Sequence, residues 1–335
     1  MIEKSNLLLL GPSGVGKTYI LQTLARVLEV PFATVDCSSL TQAGYIGSDI
    51  ESSIERLLLA AAHSIPKCET GIIFFDEVDK LAKPAVVTHG RDVSGEGVQQ
   101  GLLKMIEGTT VTINAKQDRN SKTESPTRSG DRLERGTREF SSQPGKAEQY
   151  TIDTTNILFV FAGAFVGLEK IISKRLSAGT SIGFDAPIRP PTKKPDPNDP
   201  PNLLQKVNTS DLQAYGLIPE LLGRIPITVS LSPLSLDQLV SILRDPKNSL
   251  IKQYTALFAT YNVHLRFTTA ALHALATQAL HVPDSDSNSK TESTGVGARG
   301  LRTILESVLQ ETMFIAPGSD IRFCLIDEGF VRGCF

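Results

Sequence analysis

Two short runs in this 335-residue chain have the residue types and spacing of phosphate chemistry. Gly11, Pro12, Ser13, Gly14, Val15, Gly16, Lys17 and Thr18 fit the pattern G-x-x-x-x-G-K-[ST], between an apolar run and a helix-like stretch. The glycines let backbone N–H groups converge on phosphate oxygens at a helix N-terminus. Lys17 would reach the β- and γ-phosphates, and the Thr18 hydroxyl would hold Mg²⁺. Some 60 residues on, Ile72-Ile-Phe-Phe-Asp76-Glu77 is an apolar strand ending in two carboxylates. Asp76 would enter the Mg²⁺ shell and Glu77 would polarise an attacking water as general base. Taken alone, the two acids are equally a charge pair at a helix N-terminus. Together with the upstream loop, they point to ATP and Mg²⁺ as ligands and to hydrolysis as the reaction.

These side chains need a strand to deliver each run and a helix to open behind the glycines. Asn6–Leu10, Phe32–Val35, Gly71–Phe75, Asn156–Phe161 and Ile227–Leu231 read as strands, and Lys17–Leu28, Asp49–Ala62 and Gly97–Ile106 as helices. Such alternation predicts a parallel sheet covered by helices. Residues 112–150 are polar with few aliphatics and read as a flexible insertion. Residues 185–202 hold seven of the 19 prolines, which argues against a helix or inner strand. Residues 283–294 form a third polar loop. After Pro233 the pattern changes to helices at Ser235–Leu243, Leu250–Tyr261, Thr269–His281 and Ala298–Phe314, with short strands at Val263–Phe267 and Arg322–Ile326. The division expected is a large domain over 1–232 and a small one over 233–335.

Composition removes several classes. Lys and Arg number 34 against 36 Asp and Glu, a net charge of −2 that argues against bulk attraction to nucleic acid. No apolar run reaches the 18–20 residues of a membrane span. The four cysteines form no C-x-x-C pair, so neither a zinc ribbon nor a disulfide framework is signalled. The five histidines are scattered.

Further runs carry a resemblance. Leu40-Thr-Gln-Ala-Gly44-Tyr45-Ile46-Gly47-Ser-Asp-Ile, Arg91-Asp-Val-Ser-Gly-Glu-Gly-Val-Gln-Gln100, Leu217-Ile-Pro-Glu-Leu-Leu-Gly-Arg224-Ile-Pro and Gly297-Ala-Arg299-Gly-Leu-Arg302 follow the phosphate-binding run in order. Together they resemble the ClpX-like AAA+ ATPases, the unfoldase subunits of Clp proteases. The likeness covers nearly the whole chain outside the three polar stretches. It implies an α/β fold: an AAA+ P-loop NTPase domain with a parallel sheet flanked by helices, followed by a small, mainly helical α/β lid domain. It implies a homo-oligomer, a hexameric ring, in which Arg224 crosses to a neighbour's site as an arginine finger. Arg299 would be a sensor for the bound nucleotide, with Arg302 the fallback one turn on. Gly44, Tyr45, Ile46 and Gly47 would form a pore loop gripping protein substrates. Ile182, Gly183 and Phe184, in Ser-Ile-Gly-Phe-Asp, would dock into a Clp-type peptidase. His89 falls where the family has a second pore loop. Without the resemblance, Arg224 reads as a surface ion pair, Tyr45 as a packing residue, Phe184 as part of a buried turn and His89 as a surface histidine.

Departures from the family pattern also appear. The N-terminal zinc-binding domain and the adenine-holding segment are expected to be lacking. The basic pore-entrance motif is not found near Gly145–Glu148. The fourth strand runs into Ala162-Gly-Ala-Phe165 and offers no polar sensor residue. The reading is an ATP-driven unfoldase and translocase with no peptidase activity of its own. An ATP-binding scaffold unable to hydrolyse or assemble, and a motor acting on nucleic acid, are the rivals. The resemblance implies the mitochondrial matrix for a eukaryotic member and the cytoplasm for a bacterial one. The long polar insertions and Pro-rich loop look more like a eukaryotic version, so the matrix is expected, with the cytoplasm as the alternative. No nucleic-acid or membrane partner is expected.

Overall fold

Apolar strands with two usable faces build the centre of the large domain. The computed structural model describes residues 4–42, 46–82, 95–115, 148–178, 203–281 and 297–334. The strands are β1 (Leu7–Leu10), β2 (Phe32–Asp36), β3 (Ile72–Asp76), β4 (Thr110–Ala115), β5 (Glu148–Asp153), β6 (Leu158–Gly163), β7 (Ile227–Ser230), β8 (His264–Phe267) and β9 (Phe323–Ile326). The helices are α1 (Lys17–Leu28), α2 (Cys37–Gln42), α3 (Ile46–Ala60), α4 (Ile65–Cys68), α5 (Glu96–Glu107), α6 (Leu168–Ala178), α7 (Thr209–Tyr215), α8 (Pro219–Arg224), α9 (Leu236–Arg244), α10 (Leu250–Thr260), α11 (Thr269–His281), α12 (Ala298–Ile315) and α13 (Glu328–Gly333).

Five strands form one parallel sheet in the order β2-β3-β6-β1-β7. Successive side chains point to opposite faces. Leu8, Leu10, Ile73, Phe75, Phe159 and Phe161 enter the larger core, shared with α3 and α5. Leu9, Ile72, Phe74, Val160 and Ala162 face Leu21 and Ala25 of α1. Burial on both faces explains why these strands are continuous apolar runs rather than alternating ones. The expected fold, an AAA+ P-loop sheet flanked by helices with a smaller helical lid, is the observed one. The lid has its own core, from Leu239 to Val331, built on α9 to α13 and a two-stranded parallel sheet of β8 and β9.

Several expectations need correction. The polar insertion begins and ends in ordered strand. β4 and β5 pair antiparallel from Thr110 opposite Asp153 to Ala115 opposite Glu148. Alternation in TVTINA and EQYTID buries Ile113 and Ile152 and leaves their neighbours polar, which makes a half-buried hairpin. Ile46 and Gly47 are not loop residues; they open α3. The sequence pattern gives no sign of the four-residue α4 or of the short helices α2, α6, α7, α8 and α13. At 4 to 11 residues they give little periodicity to read. Gly44, Tyr45, His89, Arg91 and Ile182–Phe184 lie outside the described residues, as do residues 185–202 and 283–294.

Candidate active site

β1 ends at Leu10 and the glycine loop turns at once into α1. Gly16 caps the helix at φ 90°, a left-handed conformation that an L side chain rarely adopts. No side chain hydrogen-bonds back to cap α1, and its first turn contains no acid. Its N–H groups therefore converge on the loop without a protein anion in the first turn, the arrangement that suits a phosphate. Lys17 is buried and donates to the carbonyls of Gly11 at 2.7 Å and Pro12 at 3.0 Å. Burial lowers its proton affinity; Asp76 and Asp79 oppose that, and Arg299 adds to it. Arg299 thus stands close enough to feel the Lys17 charge.

The parallel register of β1, β6 and β3 brings the end of β3 beside the loop. The Thr18 hydroxyl donates to Asp76 Oδ2 at 3.1 Å, so the two oxygens expected to hold Mg²⁺ are already together. Glu77 follows at φ 57°, an uncommon conformation for a residue with a side chain. Burial, reinforced by Asp36, Asp76 and Asp79 and countered by Lys80, raises its pKa above the usual carboxylate value. A raised pKa makes a carboxylate a stronger base for water. The donor set fits a nucleoside triphosphate with its magnesium: a cation, a helix N-terminus, a hydroxyl and a carboxylate. Bound there, ATP with Mg²⁺ supplies the phosphoryl group and the charge-neutralising Lewis acid.

The lid touches this loop directly. Gly297 N-caps α12, and Ala298 N–H donates to Gly14 O at 3.1 Å. Arg299 is the next residue, exposed at the start of the helix that meets the loop. Arg302 is turned away: its guanidinium pairs with Glu306 at 3.0 Å, and Glu306 also accepts from the Tyr254 hydroxyl at 2.9 Å. The fallback role for Arg302 is not supported by this arrangement.

Arg224 is not at this end of the sheet. It closes α8, where it pairs with Glu107 Oε1 at 2.7 Å, and its carbonyl accepts from Asn6 Nδ2 at 2.9 Å. Asn6 precedes β1, whereas the phosphate loop follows it.

Three functional candidates escaped the sequence reading. Asp79 Oδ1 accepts from Ala164 N–H at 3.3 Å, tying the turn after Glu77 to the end of β6. A Cβ on Gly163 would come within 2.6 Å of that oxygen, which explains the glycine. Asn6 and Gln99 are buried amides that join separate elements. Singly, a polar residue in a helix or strand reads as surface, so nothing in the sequence marked them.

A family description, the AAA domain (Cdc48 subfamily), matches residues 2–228. The chain is 42% identical over 335 residues to "ATP-dependent Clp protease ATP-binding subunit ClpX 3" of Methylococcus capsulatus, covering 99% of this chain and 68% of that protein. It is 45% identical over 329 residues to the ClpX subunit of Azotobacter vinelandii, covering 97% and 66%. A third relative is the "ATP-dependent clpX-like chaperone, mitochondrial" of Saccharomyces cerevisiae, 42% identical over 351 residues, covering 98% and 63%. The chain therefore belongs to the AAA+ ATPases and, among them, to the ClpX-like group. It spans about two thirds of the length of these relatives.

Proposed function

We propose that this chain is the ATP-hydrolysing subunit of a ring that unfolds proteins and threads them into a separate Clp-type peptidase. One observation carries the shared-site reading. β1 and β7 are parallel and in register, Leu7 opposite Ile227 and Leu10 opposite Ser230. The phosphate loop follows the last residue of β1, and Arg224 precedes the first residue of β7. The two are separated by at least the strand's four residues, about 13 Å at about 3.3 Å per residue. Arg224 thus serves the site of a neighbouring copy, where an always-charged guanidinium stabilises the transferred phosphoryl group.

Two apolar faces support a head-to-tail assembly. Ile20, Leu24 and Val27 are exposed along α1 of the large domain, and Phe314, Phe323 and Leu325 are exposed on the lid. Different patches meeting in successive copies give a ring when the rotation closes. In this reading Lys17, Thr18 and Asp76 hold ATP with Mg²⁺, Glu77 is the base and Arg299 senses the nucleotide. Tyr45, between Gly44 and Gly47, grips the substrate in the pore, and Ile182-Gly183-Phe184 anchors the peptidase. The matrix of the mitochondrion is the proposed location, in keeping with the long polar insertions and the mitochondrial name of the yeast relative.

The shared site is tested by mixing Arg224→Ala chains with Lys17→Ala chains. Each is inactive alone, and co-assembled rings regain hydrolysis wherever an intact Lys17 faces an intact Arg224. No recovery in rings shown to co-assemble refutes it. The unfolding role is tested with Tyr45→Ala, which keeps ATPase activity and loses unfolding of a stable tagged protein. Equal loss of both activities assigns Tyr45 to packing instead.

A further inference from the structure

We propose that Gln99 is a positioning residue that couples the turn carrying Glu77 to the helix carrying Arg224, so that the state of one nucleotide site sets the guanidinium presented to the next. This rests on the reading of Glu77 as base and Arg224 as a residue acting on a neighbour.

Gln99 lies in α5 and is fully buried. Its Nε2 donates to Leu81 O at 2.7 Å and, more weakly, to Gly216 O at 3.5 Å, and its Oε1 accepts from Ile218 N–H at 3.0 Å. All three partners are backbone groups. Leu81 ends the 3₁₀ turn Val78–Leu81, whose N-cap is Glu77. Ile218 is the N-cap of α8, whose last residue is Arg224. One amide therefore fastens the end of the catalytic turn to the start of the finger helix.

The surroundings reinforce the link. α5 is seated on the same turn, because a Cβ at Gly95 would lie 2.7 Å from Leu81 O. At its other end, Glu107 pairs with Arg224. α8 thus lies beside α5 and is tied to it at both its ends. Glu77 sits in the left-handed region, which costs a non-glycine residue free energy and marks the turn as a place of stored strain. A shift of that turn moves the Leu81 carbonyl, and only a side chain with both a donor and an acceptor passes the shift to Ile218. An apolar side chain of similar size fills the space but leaves a buried carbonyl and a buried N–H unmatched.

Two variants test the proposal in the full chain. Hydrogen exchange is measured with and without a non-hydrolysable ATP analogue and Mg²⁺. In the parent chain the analogue should slow exchange over 77–82 and also over 217–225. In Gln99→Met the first change should persist and the second should be lost. A Met variant that protects 217–225 as the parent does, or a parent that shows no change there, overturns the proposal. The second readout is a pH profile. In Gln99→Glu the protonated acid reproduces both the donor and the acceptor, and burial raises its pKa. Its turnover relative to the parent should rise several-fold from pH 8 to pH 6, while the ratio for Gln99→Met stays flat. A merely structural residue gives no such rise, and its absence also overturns the coupling. Failure of the mixed-chain experiment sinks the shared site; the exchange data decide Gln99 separately.

Discussion

Gly297→Ala places one methyl group between the lid and the phosphate loop. Gly297 has φ 60° and ψ −144°, a combination open essentially to glycine alone. An added Cβ would lie 3.1 Å from Gly14 O, 3.2 Å from its carbonyl carbon and 3.3 Å from its Cα. These are backbone atoms of the loop that cradles phosphate, so they cannot step aside as a flexible side chain would. The backbone conformation costs about 1–3 kcal/mol, and crowding a close-packed contact costs a similar amount. Lifting α12 off Gly14 relieves most of this, so the penalty falls on the closed, nucleotide-holding arrangement. Taking about 1.4–3 kcal/mol as the portion felt there, nucleotide affinity falls roughly 10- to 150-fold. Gly318→Ala is the control. Its φ is 76°, and nothing lies within 4 Å of the added Cβ. That variant carries a left-handed strain of about 1–2 kcal/mol without touching the loop. Titration of a fluorescent ATP analogue reads the dissociation constant of each, and thermal melts report folding. The reasoning is refuted if Gly297→Ala binds nucleotide as the parent does, or if both variants weaken binding equally.

Glu77→Gln should leave nucleotide binding intact and slow steady-state hydrolysis by about 10²–10⁴-fold, since the amide keeps the shape and loses the base. Because burial and the neighbouring acids hold the Glu77 carboxyl above its ordinary pKa, ATPase activity should fail on acidification at a higher pH than an ordinary glutamate would set. Asp36→Asn removes one of the charges raising it and should move that acid limb downward in a pH–rate profile. Arg175 binds both oxygens of buried Asp211, at 2.8 and 3.0 Å, while Asp211 also caps Asn208 N–H. Arg175→Ala should cost about 2–3 kcal/mol in chemical denaturation, less than a fully buried pair because Arg175 is one-third exposed. Burial pushes the Asp211 carboxyl up, but Arg175 and the Asn208 N–H outweigh it and hold its pKa below the ordinary value. That contribution is therefore complete at neutral pH and lost only as pH falls below about 4. Phe184→Ala should abolish peptidase-coupled degradation and spare ATPase activity; a joint fall in melting temperature and ATPase would place Phe184 in the core.

What the sequence discloses here is chemistry tied to local geometry. A glycine loop between a strand and a helix is legible because Gly16 and Lys17 act within one turn of chain. The core strands are legible because burial on both faces leaves nothing polar in them, and α1 was bounded to the residue. Other features depend on partners distant in sequence. Gln99 is buried because Leu81 and Ile218, 18 and 119 residues away, meet it from both sides. Asn6 reaches across 218 residues to Arg224, and Asp79 across 85 to Ala164. The surroundings of Arg302 are likewise tertiary: Glu306 takes its guanidinium and Tyr254 joins the pair, while Gly14 receives the start of the helix. The hairpin strands were hidden by their polar outward faces, which a composition count reads as loop.

That hairpin also sets how the chain tolerates change. Its register pins Ala115 opposite Glu148, so whatever lies between them enters and leaves the ATPase body at neighbouring points. The closure entropy of such a segment grows only logarithmically, about 0.6 kcal/mol for each doubling of length. For any flexible segment closed across these ends, the added length itself costs the fold little. A flexible linker or a linked reporter joined between Ala115 and Glu148 therefore meets the fold at one place on its surface, which makes the open end of this hairpin a practical port for the experimenter.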